Sequence, residues 1–405
     1  ATGPGHTRKA PPEAATPRRR VCQGGDHKAS AKQFPVRSNF RGRQGDRLPR
    51  FEAGTHLIRR LYRVHRPYIL LSLKSAEEEF LVKNEQLDIW EPEAAASARN
   101  MYAQALADPH YPRYHAAPPG GWMNDPHPIF FNGEYHVLYQ YSYLPGAPYD
   151  GPHRWGHAVS RDLAHWRHLP VAITPKDHGV APDRHIWSGC LVDNDGVATA
   201  IYTMDNIDVW VATSRDSALE RFEKYPGNPV IKGPPAALAV WRAGGAPEMR
   251  DPWVWREADG WYLVVGSGFD GGRGPVIPLY RSQDLVRWEY LHPLYEGDAR
   301  AGDGTFCECP CFFPLGDKHV LFLSHERQYL VGRYEGHRFT PERRGSLDAG
   351  PIYVPHAVAD DRGRRIMWGW VHDERSREAF ARAGWACMQT LPRTLSLGDD
   401  GLLRF

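Results

Sequence analysis

From Tyr111 to the C-terminus, short runs rich in aromatic and β-branched residues alternate with turns of Gly, Pro, Asn and Asp. Three runs follow strong hairpin signals: Glu134 to Tyr141 after Asn132-Gly133, Val197 to Met204 after Asp195-Gly196, and Trp261 to Gly266 after Asp259-Gly260. Asn-Gly and Asp-Gly mark tight hairpins because both turn positions must take positive φ. Strand-turn-strand spacing persists to the end, with hardly a stretch of helical period. The one good helical candidate, Ser75 to Asn84 with Glu77, Glu78 and Glu79, lies upstream. The pattern predicts an all-β fold.

An internal repeat refines that expectation. Ser160-Arg161-Asp162-Leu163-Ala164-His165-Trp166 recurs as Ser282-Gln283-Asp284-Leu285-Val286-Arg287-Trp288, and a degraded copy starts at Ser214-Arg215-Asp216-Ser217. Each copy follows a predicted strand and precedes a proline-containing segment. Radial repetition of strand-turn units points to the blades of a β-propeller.

Composition changes the picture mainly at the N-terminus. Overall charge is close to balance at +2, which gives no reason to expect nucleic acid or an anionic membrane as partner. Residues 1–100 open with a basic, Gly- and Pro-rich stretch including Pro17-Arg18-Arg19-Arg20, the composition of a solvated, low-order leader. No apolar signal core opens the chain, and Tyr68 to Leu73 is too short to span a bilayer. Cys307, Cys309 and Cys311 alternate, which on one strand would place three thiols on one face. They lack the spacer and second ligand pair of a thiolate metal site, so buried free thiols are expected and no metal.

Three carboxyls have unusual local settings: Asp125 in Trp122-Met123-Asn124-Asp125-Pro126, Asp251 in Met249-Arg250-Asp251-Pro252, and Glu308 in Cys307-Glu308-Cys309-Pro310. A following proline restricts each Asp to extended backbone. Glycoside hydrolysis uses one ionised and one protonated carboxyl. Thiol and aromatic neighbours suit Glu308 to the proton donor, leaving Asp125 or Asp251 as the ionised partner.

Together these motifs resemble the three signatures of glycoside hydrolase family 32, the invertases, inulinases and levanases. Tyr139-Gln140-Tyr141, Trp155-Gly156-His157-Ala158, Trp187-Ser188-Gly189, Leu347-Asp348-Ala349-Gly350 and Met367-Trp368-Gly369-Trp370 extend the resemblance from about His115 to Leu397. It implies a five-bladed β-propeller over residues 101–397. Residues 398–405 would be the start of a linker to a C-terminal β-sandwich that is essentially missing. It further implies a retaining hydrolase of β-fructofuranosyl bonds that needs no cofactor. Asp125 would be the nucleophile, Glu308 the acid/base, and Asp251 the transition-state stabiliser beside Arg250. In a retaining pair the two reacting carboxyls stand about 5–5.5 Å apart. Asn124, Gln140, Trp155, Trp187, Ser188, Asp348 and Trp370 match positions lining the fructose pocket. The implied partner is a fructose-containing oligo- or polysaccharide, with homo-oligomerisation left open, and the implied location is extracellular or periplasmic, with the cytoplasm as the alternative.

Departures accompany the resemblance. His127 follows Asp125-Pro126 where many members have Asn, altering the substrate-entry rim, and Cys190 stands where Ser is common. Cys311 replaces an Asp often found past the Glu-Cys pair, a change that would raise the pKa of Glu308. A fructosyltransferase, a non-catalytic sugar-binding propeller and an arabinan-type five-bladed hydrolase are the competing readings. The choice of substrate rests with loops such as Gly146 to Arg154 and Phe269 to Pro275.

Overall fold

The computed structural model describes residues 101–143, 152–175, 185–205 and 207–405. The basic leader, the helix expected at Ser75 to Asn84, Cys22 and most of the Gly146 to Arg154 loop lie outside them.

Five antiparallel sheets follow one another along the chain. Blade I holds Gly121–Phe131, Glu134–Ser142, Arg154–Ser160 and Arg167–Ile173; blade II holds Ile186–Asn194, Val197–Met204, Asp208–Ser214 and Glu223–Lys224. Blade III holds Arg250–Glu257, Gly260–Gly268, Pro275–Ser282 and Glu289–Glu296; blade IV holds Cys311–Leu315, Lys318–Leu323, Gln328–Glu335 and Arg338–Ser346. Blade V holds Ile352–Ala359, Arg365–Val371, Arg393–Leu397 and Leu403–Arg404. The first strand of each blade contacts the first strand of the next, and that of blade V contacts that of blade I. The sheets therefore close into a five-bladed β-propeller, as expected.

The local signals translate directly. Asn132 and Gly133 take φ of 50° and 78°, and Asp195 and Gly196 take 54° and 84°, as two-residue hairpins require. The repeated motif is the turn between the third and fourth strands of a blade. In blade I, Ser160 Oγ accepts from the amides of Asp162 and Leu163, while Asp162 Oδ1 accepts from those of Ala164 and His165. Ser282 and Asp284 repeat the same four bonds in blade III. Leu163 and Leu285 both stand at positive φ inside these turns.

The inner strands are buried on both faces because blades stack on their neighbours, while outer strands such as Arg338–Ser346 are largely exposed. Ile201, Val211, Val264, Ile277, Leu321, Leu330 and Met367 all belong to one fully buried cluster running from blade II to blade V. Each such side chain stabilises the fold by about 1.5–3 kcal/mol relative to exposure.

Three expectations need correction. Residues 398–405 are not a linker, since Leu403–Arg404 pairs with Arg393–Leu397 and completes blade V. Residues 101–107 and Arg377–Ala383 are helical; the seven residues of Arg377–Ala383 show too little period to detect, and that helix is defined by its Ser376 and Gly384 caps. The three alternating cysteines do not share a strand face, because strand pairing starts only at Cys311 and Cys309 has φ of 47°. All five described cysteines are buried and free.

Candidate active site

The candidate residues cluster where the inner strands break register. Pairing shifts between Met123 and Pro126 in blade I, Ile186 and Gly189 in blade II, Arg250 and Trp253 in blade III, and Tyr353 and His356 in blade V. The skipped stretches hold Asn124-Asp125, Trp187-Ser188, Asp251-Pro252 and Val354-Pro355. A bulge re-aims a side chain out of the regular alternation, and here the same device recurs around one ring. Asp251 and Val354 stand at φ of 66° and 45°, each just before a proline. Asp251 is thus not extended, against the pre-proline expectation. Its amide donates to Thr203 Oγ1 at 2.7 Å, a contact from blade II that helps hold the unusual backbone.

One residue ties the three acids together. Cys309 Sγ lies 3.7 Å from Asp125 Oδ2, the Cys309 amide donates to Asp251 Oδ2 at 3.1 Å, and Glu308 is its neighbour in sequence. Asp125 also accepts from Ser188 Oγ and from Gln140 Nε2 at 3.3 Å, and Gln140 reaches Ser188 at 2.5 Å. Arg250 Nη2 donates to Glu308 Oε1 at 2.5 Å, and the Tyr353 hydroxyl donates to Glu308 Oε2.

The electrostatics differ from the sequence expectation. Burial pushes Asp125 up to about 7; the Ser188 bond opposes this, and the charges of Asp251 and Glu308 add to it. Burial also lifts Asp251 to about 6, against the pull of Arg250. For Glu308, burial raises the pKa, but the Arg250 charge and the bonds from Tyr353 and Arg250 outweigh it and hold the carboxyl below its usual range. The upward shift expected from Cys311 is not seen, because a cation and a phenol face the carboxyl. Asp125 senses the charges of both Asp251 and Glu308, and Asp251 senses that of Glu308, which places all three around one space.

The remaining candidates divide. Asn124, Gln140, Ser188 and Arg250 stand at or beside the acids. Trp187 is half-buried, with its carbonyl accepting from Trp155 Nε1 at 3.0 Å. Trp155 is fully buried and stacked on His127 at 4.2 Å, so it packs behind the site rather than lining it. Trp370 is also buried, stacked on His372 at 3.8 Å and edge-on to Tyr353 at 6.1 Å. Asp348 pairs with Arg393 Nη1 at 2.5 Å and accepts from the Gly350 amide at 2.6 Å, which fixes the turn entering blade V. Sequence reasoning missed Tyr353, Cys309 as a bridge, and Gln389, whose Nε2 donates to the Asn124 carbonyl at 2.5 Å. No local signal marks Tyr353 or Gln389; their partners lie 45 and 265 residues away. Among the described residues, no group of His, Cys, Asp and Glu is arranged to hold a metal ion, and no helix is long and apolar enough to cross a membrane.

The glycosyl hydrolases family 32 N-terminal domain matches residues 115–404, which include every residue of this cluster. The chain belongs to glycosyl hydrolase family 32. The sucrose-6-phosphate hydrolase of Escherichia coli is 36% identical over 344 residues, covering 77% of this chain and 67% of that protein. The chain spans about two thirds of the length of the sucrose-6-phosphate hydrolases it matches, 62% for some. Among solved structures, a Bombyx mori GH32 β-fructofuranosidase aligns with a TM-score of 0.64 at 30% identity, over 77% of this chain and 68% of that one. Fructan 1-exohydrolase IIa from Cichorium intybus aligns with a TM-score of 0.62 at 30% identity, over 72% and 59%.

Proposed function

We propose that this family-32 propeller hydrolyses β-fructofuranosyl bonds by a retaining mechanism, with sucrose and fructans as the substrate class. The observation that carries the reading is the Cys309 bridge, which joins an Asp from blade I, an Asp from blade III and the adjoining Glu308. A sugar-binding protein has no need for three coupled, buried acids, since crowding buried carboxyls around one space costs stability. The Bombyx mori enzyme has been solved with sucrose and the Cichorium intybus enzyme with 1-kestose, which supports the substrate class.

In this reading Asp125 attacks the anomeric carbon while Glu308 gives a proton to the departing glycosidic oxygen. The fructosyl ester on Asp125 is then opened by water, whose proton returns to Glu308. Asp251 accepts hydrogen bonds from fructose hydroxyls, and its negative charge stabilises the oxocarbenium-like transition state. Ser188 and Gln140 hold Asp125 Oδ2 and orient the free oxygen for attack. Burial of Asp125 and the pairing of Glu308 with Arg250 favour a proton on Asp125 rather than on Glu308, the reverse of what reaction needs. A bound fructose drawing Arg250 toward its hydroxyls would loosen the hold on Glu308 and let the proton cross. Coupled carboxyls of this kind titrate as a set.

Incubation with sucrose, inulin and levan, followed by chromatography, tests the reading. Free fructose should appear with the parent chain and vanish with Asp125→Ala and with Glu308→Gln. Activity surviving both substitutions would end it. Oligosaccharides with excess free glucose would instead show transfer to sugar.

A further inference from the structure

Arg250 is shared among three carboxylates. Its Nη2 meets Glu308 at 2.5 Å, its Nη1 meets Glu248 Oε2 at 2.6 Å, and its Nε lies 3.7 Å from Asp251 Oδ2. The guanidinium rests over the Phe306 ring at 4.5 Å, so its plane and both forks are fixed. The Arg250, Glu248 and Glu308 side chains are 14%, 19% and 24% exposed, which limits screening by water.

Glu248 is placed for this contact by its backbone. Its amide donates to the Trp241 carbonyl at 3.0 Å, and its carbonyl accepts from Ser267 Oγ at 2.7 Å. Neither bond involves the side chain, so the carboxylate is not what holds the segment in place. Its one hydrogen-bond partner among the described residues is the cation that also grips Glu308.

We propose that Glu248 is a positioning residue for the acid/base carboxyl: by taking one fork of Arg250, it limits the hold of that cation on Glu308. The proposal rests on the hydrolase reading above. An arginine beside a carboxyl lowers its pKa by about 1–3 units, yet an acid catalyst must carry its proton at working pH. A second carboxylate on the far side of the cation offsets part of that pull, while the fork geometry still aims Glu308. The other groups facing Glu308 are Tyr353 from blade V, Asp125 from blade I, Asp251 from blade III, His325 from the hairpin of blade IV, and the neighbouring thiols Cys307 and Cys309. Of these, Asp251 also touches Arg250, at its Nε edge 3.7 Å away, whereas Glu248 takes the Nη1 fork at 2.6 Å.

The test compares parent, Glu248→Gln and Glu248→Asp. Two quantities are read: the pH profile of kcat/KM on sucrose, and the titration of the Glu308 carboxyl by carbon-13 NMR. With Glu248→Gln, the basic limb and the Glu308 titration should both move to lower pH by on the order of one unit. Glu248→Asp keeps the charge and should restore most of that shift. A purely structural role would lower kcat/KM at every pH and leave the limb in place. An unmoved Glu308 titration in folded Glu248→Gln overturns the proposal. If the parent releases no fructose, the hydrolase reading fails by itself, and the carboxyl titration still decides the role of Glu248.

Discussion

Asp125 combines burial, three side-chain donors and two nearby acids in one side chain, and its stability cost is readable. Its pKa is pushed up to about 7 in the fold, against about 3.9 for an unfolded Asp. The folded state therefore holds a proton on this group more tightly than the unfolded state does. The stability linked to that proton is fully present below about pH 3.9 and is lost as pH rises through about 7. Asp125→Asn should consequently be more stable than the parent at pH 8, by on the order of 2–4 kcal/mol. The gain should shrink toward zero near pH 4. Denaturant unfolding at the two pH values measures it, and equal stabilities at pH 8 would show that Asp125 ionises at no cost. The acids and their immediate neighbours were legible in sequence because each sits in a compact motif of aromatic, Asn, Arg or Cys residues with proline. Protonation was not. It depends on Arg250 and Tyr353 reaching Glu308 from other blades, and no local motif records that.

At the level of elements, hairpins and the Ser-x-Asp-Leu turns were legible because their hydrogen bonds close within three residues. The bulges were not. Pro126, Pro252 and Pro355 signal an interruption, but proline alone predicts extended backbone before it, whereas Asp251 and Val354 take positive φ. Neighbouring strands impose that conformation. Gly266 shows how little slack exists: it pairs with Arg250 across blade III, and a Cβ there would lie 2.3 Å from the Cys307 carbonyl and 3.1 Å from that of Arg250. Both obstacles are backbone, so they cannot rotate away. Gly266→Ala should cost about 1–3 kcal/mol of stability. It should also lower kcat/KM by more than tenfold at temperatures where the chain stays folded, because Arg250 and Glu308 are pushed apart. Thermal unfolding together with sucrose kinetics checks both effects; normal kinetics in the folded variant would mean that the Cys307 segment yields without moving Glu308.

For the whole molecule, closure of the ring is what makes a site. Trp385–Ala386, from the segment after the second strand of blade V, pairs in parallel with Gly121-Trp122 of blade I. Gln389 then links the two ends: its amide donates to the Ala116 carbonyl at 2.8 Å and its side chain to that of Asn124 at 2.5 Å. Repetition of strand-turn units announced a propeller, but contact between first and last blades spans more than 260 residues and leaves no periodic trace. Three carboxyls separated by up to 183 positions thus share one space only because the circle closes. The most direct measurement of that claim uses Glu308→Gln with β-fructofuranosyl fluoride, whose leaving group needs no proton. Fluoride release should be fast and the following hydrolysis slow, so that the peptide carrying Asp125 gains one fructosyl unit by mass spectrometry. A fructosyl unit found on Asp251, or steady turnover with no adduct on Asp125, would contradict the account.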